Sequence, residues 1–361
     1  MSEWVTKPLG DVLQLNYGKS LPVKQRVEGE IPVYGSNGIV GSHHKAIVNA
    51  PGLVVGRKGS AGQVHRSLGP FCPIDTTFYI TADDAPDTDL EFLFYLLRHL
   101  DLTRITGDVG VPGLNREMAY MESVSFPPEI PEQKKIAHIL STVQRAIEEQ
   151  ERIIRTTTEL KKALMQKLFT EGLRGEPQKQ TEIGPVPESW EVVEIGDVFK
   201  FTSGKTKPKD TRREPTAEQT IPVYGGNGVL GYAAESLLDK EVLILGRVGE
   251  YCGCAHLTAR TSWVTDNALY AKEEKRSVNR TYARTHFEHL NLNRYSNKMG
   301  QPLITQGIIN RVKFGLPSRE EQDELANAFE TLDTRLNQSR TKQSQLQDLF
   351  RTLLHELMTA K

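Results

Sequence analysis

Two kinds of hydrophobic pattern alternate along this chain. In the first, short apolar runs such as Leu53–Val55 and Val242–Leu245 are separated by residues that favour turns, which predicts short strands. A helix is predicted inside each of these regions, at Leu90–Leu97 and around Tyr282–Leu290. In the second, apolar residues recur at alternating steps of three and four within a stretch that lacks proline and glycine, which predicts a long helix.

The two long helices each carry an apolar stripe at heptad spacing. At about 1.5 Å per residue, each helix of about 40 residues is about 60 Å long. Such a stripe needs a partner, and the nearest candidate is the other long helix, packed antiparallel as a coiled coil. The interface residues predicted from this spacing are Ile136, Ile139, Val143, Ile153, Leu160, Leu164, Leu325, Leu332, Leu346, Leu349 and Leu353.

An internal repeat covers the whole chain. The segment IPVYGSNGIVG that begins at Ile31 returns as IPVYGGNGVLG at Ile221, and Gly18–Ser20 returns as Gly204–Thr206. A repeat this long predicts two units that each fold around a core of their own, in an α+β class with pseudo-two-fold symmetry. The predicted parts are a globular domain at 1–130, a long helix at 131–173, a second globular domain at 174–317 and a second long helix at 318–361.

Composition removes several classes of protein. The 361 residues carry a formal net charge of −1 and include 3 cysteines, which excludes a uniformly basic protein and a disulfide framework. No apolar run is long enough for a membrane span, and the start of the chain has no secretory signal, so we expect a cytoplasmic protein. Cys252 and Cys254 lack a second ligand pair, so we expect thiols and no metal site.

At this point the sequence resembles the specificity subunit of type I restriction–modification systems. The two Glu-Gln motifs that begin the long helices, at Glu132 and Glu321, are part of the resemblance, which covers essentially the full chain. It also rests on Leu9–Asp11, Gly18–Ser20, Ile31–Gly35, Pro131–Ala137, Thr181–Glu191, Gly196–Asp197 and Ile221–Gly225.

The resemblance implies a non-catalytic DNA-recognition subunit. In that family each globular part is a target-recognition domain that reads one half of a bipartite, asymmetric site in double-stranded DNA, and the helices set the spacing. The resemblance also implies two methyltransferase subunits docked on the helices and two restriction–translocase subunits. No cofactor is expected in this chain, whereas S-adenosylmethionine, ATP and Mg are expected in the partner subunits.

The candidate DNA-binding residues are polar or basic side chains in glycine-flanked loops, where a backbone can approach phosphates and side chains can reach base edges. They are Lys19, Asn37, His43, His44, Lys45, Arg57, Lys58, Lys205, Lys207, Asn227 and Arg247. The two Asn-Gly pairs have a plainer interpretation as hairpin turns, and the lysines and arginines as solvated surface residues.

Two other functions remain open from the sequence. In the first alternative, the chain is a coiled-coil scaffold or regulator that binds proteins through its end domains. In the second, it is an anti-restriction mimic that occupies the methyltransferase without reading DNA. The DNA sequence recognised does not follow from the residues.

Overall fold

The computed structural model describes residues 3–106, 113–297 and 300–359. Its strands in the first half are β1 Val5–Pro8, β2 Asn16–Tyr17, β3 Ile31–Gly35, β4 Gly38–His43, β5 Gly52–Gly56, β6 Val64–Ser67, β7 Cys72–Pro73, β8 Thr77–Ile80 and β9 Ser123–Phe126. In the second half they are β10 Gln178–Thr181, β11 Gly184–Pro187, β12 Glu191–Glu194, β13 Phe199–Ser203, β14 Ile221–Gly225, β15 Gly228–Ala233, β16 Leu243–Gly246, β17 Ala255–Leu257, β18 Trp263–Val264, β19 Ala268–Glu274 and β20 Lys313–Leu316.

The α-helices are α1 Leu90–Leu100, α2 Arg116–Met121, α3 Ile130–Glu171, α4 Ile195–Val198, α5 Arg280–Leu290, α6 Gln306–Asn310 and α7 Arg319–Met358. Both predicted short helices are therefore present, as α1 and α5. Their first turns are capped alike, because the Asp89 carboxylate accepts from the Phe92 N–H and the Asn279 amide oxygen accepts from the Tyr282 N–H, each at 3.0 Å.

Sheet topology repeats between the halves. A four-stranded sheet of order β2-β8-β5-β6 corresponds to β13-β19-β16-β17, and a three-stranded sheet of order β4-β3-β7 corresponds to β15-β14-β18. In each three-stranded sheet an antiparallel hairpin carries a short parallel strand. The pair β1-β9 corresponds to β12-β20, while β10-β11 is an additional hairpin of the second half. The predicted tandem α+β architecture is confirmed.

The chain divides into two compact units that each contain parts of both long helices. Unit 1 comprises Met1–Glu151 and Thr341–Lys361, and unit 2 comprises Arg152–Arg340. Within unit 1, Leu140 near the start of α3 shares a core with Phe350 near the end of α7. Within unit 2, Phe169 at the end of α3 shares a core with Phe329 near the start of α7. The helices are thus antiparallel, as predicted. This division cuts both long helices, so the domain limits given above stay a prediction.

A buried glutamine joins each long helix to the short helix of its unit. Gln133 is fully buried, and its Oε1 accepts from the Asp89 N–H at 2.7 Å while its Nε2 donates to the Pro127 carbonyl at 3.0 Å. Gln322 accepts from the Asn279 N–H at 2.8 Å and donates to the Pro317 carbonyl at 2.9 Å. The Glu-Gln motif therefore marks a structural joint at the base of each long helix.

The predicted helix interface is wrong at three positions. Ile139, Leu160 and Leu349 are 42%, 49% and 46% exposed. The residues that follow them, Leu140, Lys161 and Phe350, are buried instead. An apolar stripe on a helix can follow steps of three then four residues, or steps of four then three. From the same starting residue, both orders use every seventh residue, and the interface residues in between differ by one position. The sequence offers apolar residues for both orders in places, such as Ile139 beside Leu140, and the structure uses the second order in both helices.

The remaining predicted interface residues lie in or beside the cores. Ile136 and Leu325 are buried. The other side chains are partly buried: Val143, Ile153, Leu164, Leu332, Leu346 and Leu353.

Candidate nucleic-acid interface

In unit 1, the Gly-Lys motif, the β3–β4 hairpin turn and the segment with Arg57 and Lys58 converge on one loop, residues 73–77, which we call hub loop 1. The Lys19 N–H donates to the Pro73 carbonyl at 2.9 Å, and the Arg57 N–H donates to the Thr76 carbonyl at 2.8 Å. The Ser36 hydroxyl, in the turn of the β3–β4 hairpin, donates to the same Thr76 carbonyl at 2.6 Å. Segments that are far apart in sequence thereby bring Lys19, Asn37, Arg57 and Lys58 to one surface.

In unit 2 the same arrangement surrounds residues 264–268, hub loop 2. The Lys205 N–H donates to the Val264 carbonyl, and the Arg247 N–H donates to the Asn267 carbonyl, each at 2.9 Å. The Thr265 N–H donates to the Tyr224 carbonyl of β14, also at 2.9 Å. Lys205, Asn227 and Arg247 are brought together here.

The glycine of each Gly-Lys motif is required by this close approach. A Cβ placed on Gly18 would lie 2.1 Å from the Ile74 carbonyl oxygen, and one on Gly204 would lie 2.2 Å from the Thr265 carbonyl oxygen. The N–H groups of Gly18 and Lys19 are already bonded to backbone carbonyls. The motif is therefore a packing element, and its N–H groups do not form a phosphate cradle.

Hub loop 1 carries a stack of cations on an aromatic ring. The Arg57 guanidinium lies 5.3 Å from the centroid of the Tyr17 ring and donates to the Asp75 carbonyl at 2.5 Å. Arg116, at the start of α2, lies 5.1 Å from the same centroid. The Tyr17 side chain is 50% exposed. This combination presents positive charge and a flat ring to solvent, which suits phosphate oxygens and base edges.

Hub loop 2 uses different side chains on the same scaffold. The Arg247 Nη1 donates to the Ser203 hydroxyl at 3.2 Å, and its buried Nε has no hydrogen-bond partner in the described part of the chain. The position of Lys58 is taken by Val248, since Lys58 bridges to Gly113 and Val248 bridges to Leu303 in the same manner. Lys207 is exposed on the segment that follows Lys205. The two surfaces therefore share a backbone and differ in chemistry.

Asn37 and Asn227 lie exposed in two-residue hairpin turns, as the plainer interpretation predicts. The following Gly38 and Gly228 have φ of +106° and +91°, which side-chain-bearing residues rarely adopt. The turn and a DNA role are compatible, because the turns position both asparagine side chains in solvent beside the hub loops.

His43, His44 and Lys45 are not part of the hub surface. They lie at the far end of β4, about 17 Å of extended strand from the hairpin turn. The His43 Nδ1 accepts from the Val27 N–H at 3.0 Å, and the rings of His43 and His44 lie 4.4 Å apart. A DNA-binding role for these three residues stays a prediction.

Sequence reasoning missed Tyr17 and Arg116. Tyr17 directly precedes the Gly-Lys motif, and that position is the one signal available in the sequence. Arg116 follows Asn115, whose side chain caps α2 by accepting from the Glu117 N–H at 2.8 Å. Nothing in the linear pattern relates Arg116 to Tyr17, because the contact depends on the folded position of α2.

Cys252 and Cys254 are both free thiols. Cys252 is buried and Cys254 is exposed. Burial raises the pKa of the Cys252 thiol, while partial desolvation and the nearby Glu288 carboxylate raise that of the Cys254 thiol; both shifts oppose the thiolate that a metal requires. Among the described residues, no group of three or more His, Cys, Asp or Glu side chains is placed to hold a metal ion. Within the same residues no helix has the length and apolar character to cross a membrane.

Comparisons with known proteins match both halves of the repeat. A family model described as type I restriction modification DNA specificity domain matches residues 1–156 and 187–347, once in each half of the repeat. The chain is 24% identical to the type I restriction enzyme MjaVIII specificity subunit of Methanocaldococcus jannaschii, over 99% of this chain and 93% of that protein. It is 30% identical to the Escherichia coli EcoprrI specificity subunit, over 40% of this chain and 36% of that protein.

A solved structure shows the same fold. The crystal structure of the type I restriction–modification system S subunit from M. genitalium superposes with a TM-score of 0.79 at 18% identity, over 99% of this chain and 96% of that chain. The tandem repeat, the long antiparallel helices and the two matched domains therefore have one common explanation. The chain belongs to the family of type I restriction–modification DNA specificity subunits.

Proposed function

We propose that this chain reads a bipartite, asymmetric site in double-stranded DNA, one half with each hub surface. The observation that carries the proposal is the pair of hub loops, which repeat one backbone scaffold under different side chains. An asymmetric target needs two readers of similar build and different chemistry. Arg57 stacked on Tyr17, and Arg247 bonded to Ser203, supply that difference.

In this proposal, phosphate contacts and base contacts are divided among the hub residues. Exposed Lys19, Lys58 and Lys205 contact phosphates, which fix the position of the protein on the duplex. Asn37 and Asn227, which project from the hairpin turns, reach base edges, where an asparagine amide can pair with adenine in two hydrogen bonds. A net charge of −1 for the whole chain does not exclude a local basic surface, and Lys19, Arg57 and Lys58 lie together at hub loop 1.

The long helices set the distance between half-sites and dock the methyltransferase subunits. Ile139 and Leu160 on α3 and Leu349 on α7 are exposed apolar side chains on otherwise polar helix faces, and such side chains suit a partner surface. Two methyltransferase subunits dock on these helix faces, and two restriction–translocase subunits join them in the completed enzyme. The enzyme acts in the cytoplasm. S-adenosylmethionine, ATP and Mg belong to those partners, and this chain directs their chemistry without catalysis of its own.

Methylation mapping tests the proposal. The chain is co-expressed with its methyltransferase subunit in a host, and methylated adenines in the genomic DNA are mapped. We expect one bipartite motif. In one variant, residues 1–130 are replaced by the corresponding region of a relative, which changes one half-site and leaves the other half and the spacing unchanged.

In a second variant, seven residues are inserted after Glu151 and seven after Arg340, which preserves the heptad order of both helices. About 10 Å of added helix lengthens the spacing by about three base pairs and leaves both half-sites intact. A change of both half-sites in the first variant contradicts independent readers. Absence of any motif, or binding of the complex to duplex DNA without salt dependence, favours a scaffold or an anti-restriction mimic.

A further inference from the structure

Each unit has a seat where its short helix rests on the two long helices. In unit 1 the short helix is α1, and in unit 2 it is α5. Glu132–Gln133 and Glu321–Gln322 align α3 with α7, while the caps Asp89 and Asn279 align α1 with α5. By this alignment the paired seat positions are Phe350 with Lys161, Gln144 with Asp333, Phe94 with Arg284, and Arg98 with Glu288.

The seat in unit 2 is ionic. Lys161 is 8% exposed, and its ammonium lies 2.8 Å from the Asp333 carboxylate of α7 and 3.0 Å from the Glu288 carboxylate of α5. Arg284 of α5 lies 2.6 Å from the other Asp333 oxygen. Burial raises the pKa of Asp333, but the hydrogen bonds from Lys161 and Arg284 outweigh it and lower the pKa overall. Three helices are therefore tied by alternating charges.

The seat in unit 1 is aromatic. Phe350 is 6% exposed, and its ring centroid lies 6.1 Å from that of Tyr95. The Arg98 guanidinium lies 5.4 Å from the Phe350 centroid and 5.4 Å from the Phe94 centroid. Arg98 also donates to the Gln144 amide oxygen at 3.5 Å. No carboxylate contacts Arg98 in the described part of unit 1, and its charge is stabilised by ring faces.

Exchange of the two short helices between seats would leave charges unmatched. Arg98 of α1, which is exposed, would then face the buried Lys161 ammonium in place of the Glu288 carboxylate. Asp333 would lose the Arg284 partner. Glu288 and Arg284 of α5 would meet the Phe350 ring and an uncharged Gln144. A buried charge without its partner is strongly unfavourable.

We infer that the two seats are selective interaction surfaces, the ionic seat fitting only the globular region that carries α5 and the aromatic seat only the region that carries α1. The occupant of each seat is therefore specified by charge, in addition to chain connectivity. A recognition region grafted into the first half needs an arginine or another cation at the Arg98 position, and one grafted into the second half needs an acid at the Glu288 position.

A charge exchange in the full-length chain tests this inference. Phe350→Lys gives the aromatic seat the residue of the ionic seat, opposite Arg98. We expect the apparent Tm to fall by about 8 °C or more, with loss of hydrogen-exchange protection in α1. Adding Arg98→Glu to this variant recreates the acid–lysine pair of unit 2, and we expect it to reverse more than half of the decrease in Tm. The control is Leu349→Lys, at the exposed neighbouring position, with little change.

Recovery in the double variant supports selection by charge, as does folding of the double variant when Phe350→Lys alone fails to fold. If the double variant melts at or below Phe350→Lys, or if neither folds, charge does not choose the occupant and the inference is wrong. A Phe350→Lys variant that melts like Leu349→Lys also overturns it.

Discussion

Replacing Leu140 or its neighbour Ile139 with aspartate separates the two possible registers of the long helices. Leu140 is fully buried in the core of unit 1, whereas Ile139 is 42% exposed. Leu140→Asp removes about 1.5–3 kcal/mol of hydrophobic stabilisation and adds several kcal/mol for a carboxylate that lacks water or a partner. The sum, about 5 kcal/mol or more, is comparable with the total stability of a domain.

At Ile139 the carboxylate stays hydrated, so Ile139→Asp lowers the free energy of unfolding by about 1 kcal/mol or less. The assay is urea unfolding of the full-length chain, followed by circular dichroism for helix content and by hydrogen exchange to assign the loss to unit 1. Equal losses for the two variants, or a larger loss for Ile139→Asp, would refute the register in which Leu140 is the interface residue.

Two further predictions concern DNA binding and pH. Arg57→Ala weakens binding of the methyltransferase complex to DNA and reduces the salt dependence of binding by about one charge. The control Lys7→Ala, on β1, changes neither. If salt titrations of the Arg57→Ala complex and the unchanged complex are identical, Arg57 is not part of the interface. Burial and the nearby charge of His289 lower the pKa of His286 to about 3. The unfolded chain, with a pKa of about 6.5 at this residue, binds the extra proton, so the stability of unit 2 falls as pH drops from about 6.5 to about 3, by up to about 1.4 kcal/mol per pH unit. Urea unfolding across this range shows the slope, which His286→Phe diminishes; an unchanged slope in the variant would place the titration elsewhere.

The fold was predictable because its evidence is repeated in the sequence. The motif at Ile31 returns at Ile221 with the same Asn-Gly turn, and both copies form the same bulged hairpin. The order of steps along the long helices was not predictable, because Ile139 and Leu140 are both apolar. At Lys161 hydrophobicity was misleading, since burial there depends on Asp333 and Glu288, which are distant in sequence.

The candidate interface was predictable in part, for a related reason. Motif residues such as Lys19, Arg57 and Arg247 were identified from glycine-flanked loops, and the structure brings them to the hub loops. The hub loops themselves, residues 73–77 and 264–268, have no motif, because they act through backbone carbonyls and N–H groups that any sequence provides. The position of Tyr17 beneath two arginines required the folded chain.

The buried glutamines at the base of the long helices hold the adjoining globular regions through main-chain hydrogen bonds. In the described part of the chain, the Gln133 side chain forms hydrogen bonds with main-chain atoms of Asp89, Asp87 and Pro127, and the Gln322 side chain with main-chain atoms of Asn279 and Pro317. Such a joint depends on the backbone conformation of the region that it holds, and it does not depend on the side chains of that region. This joint therefore places no requirement on the side chains of a globular region grafted onto it, and any selection between grafted regions rests with the seats formed by the short and long helices.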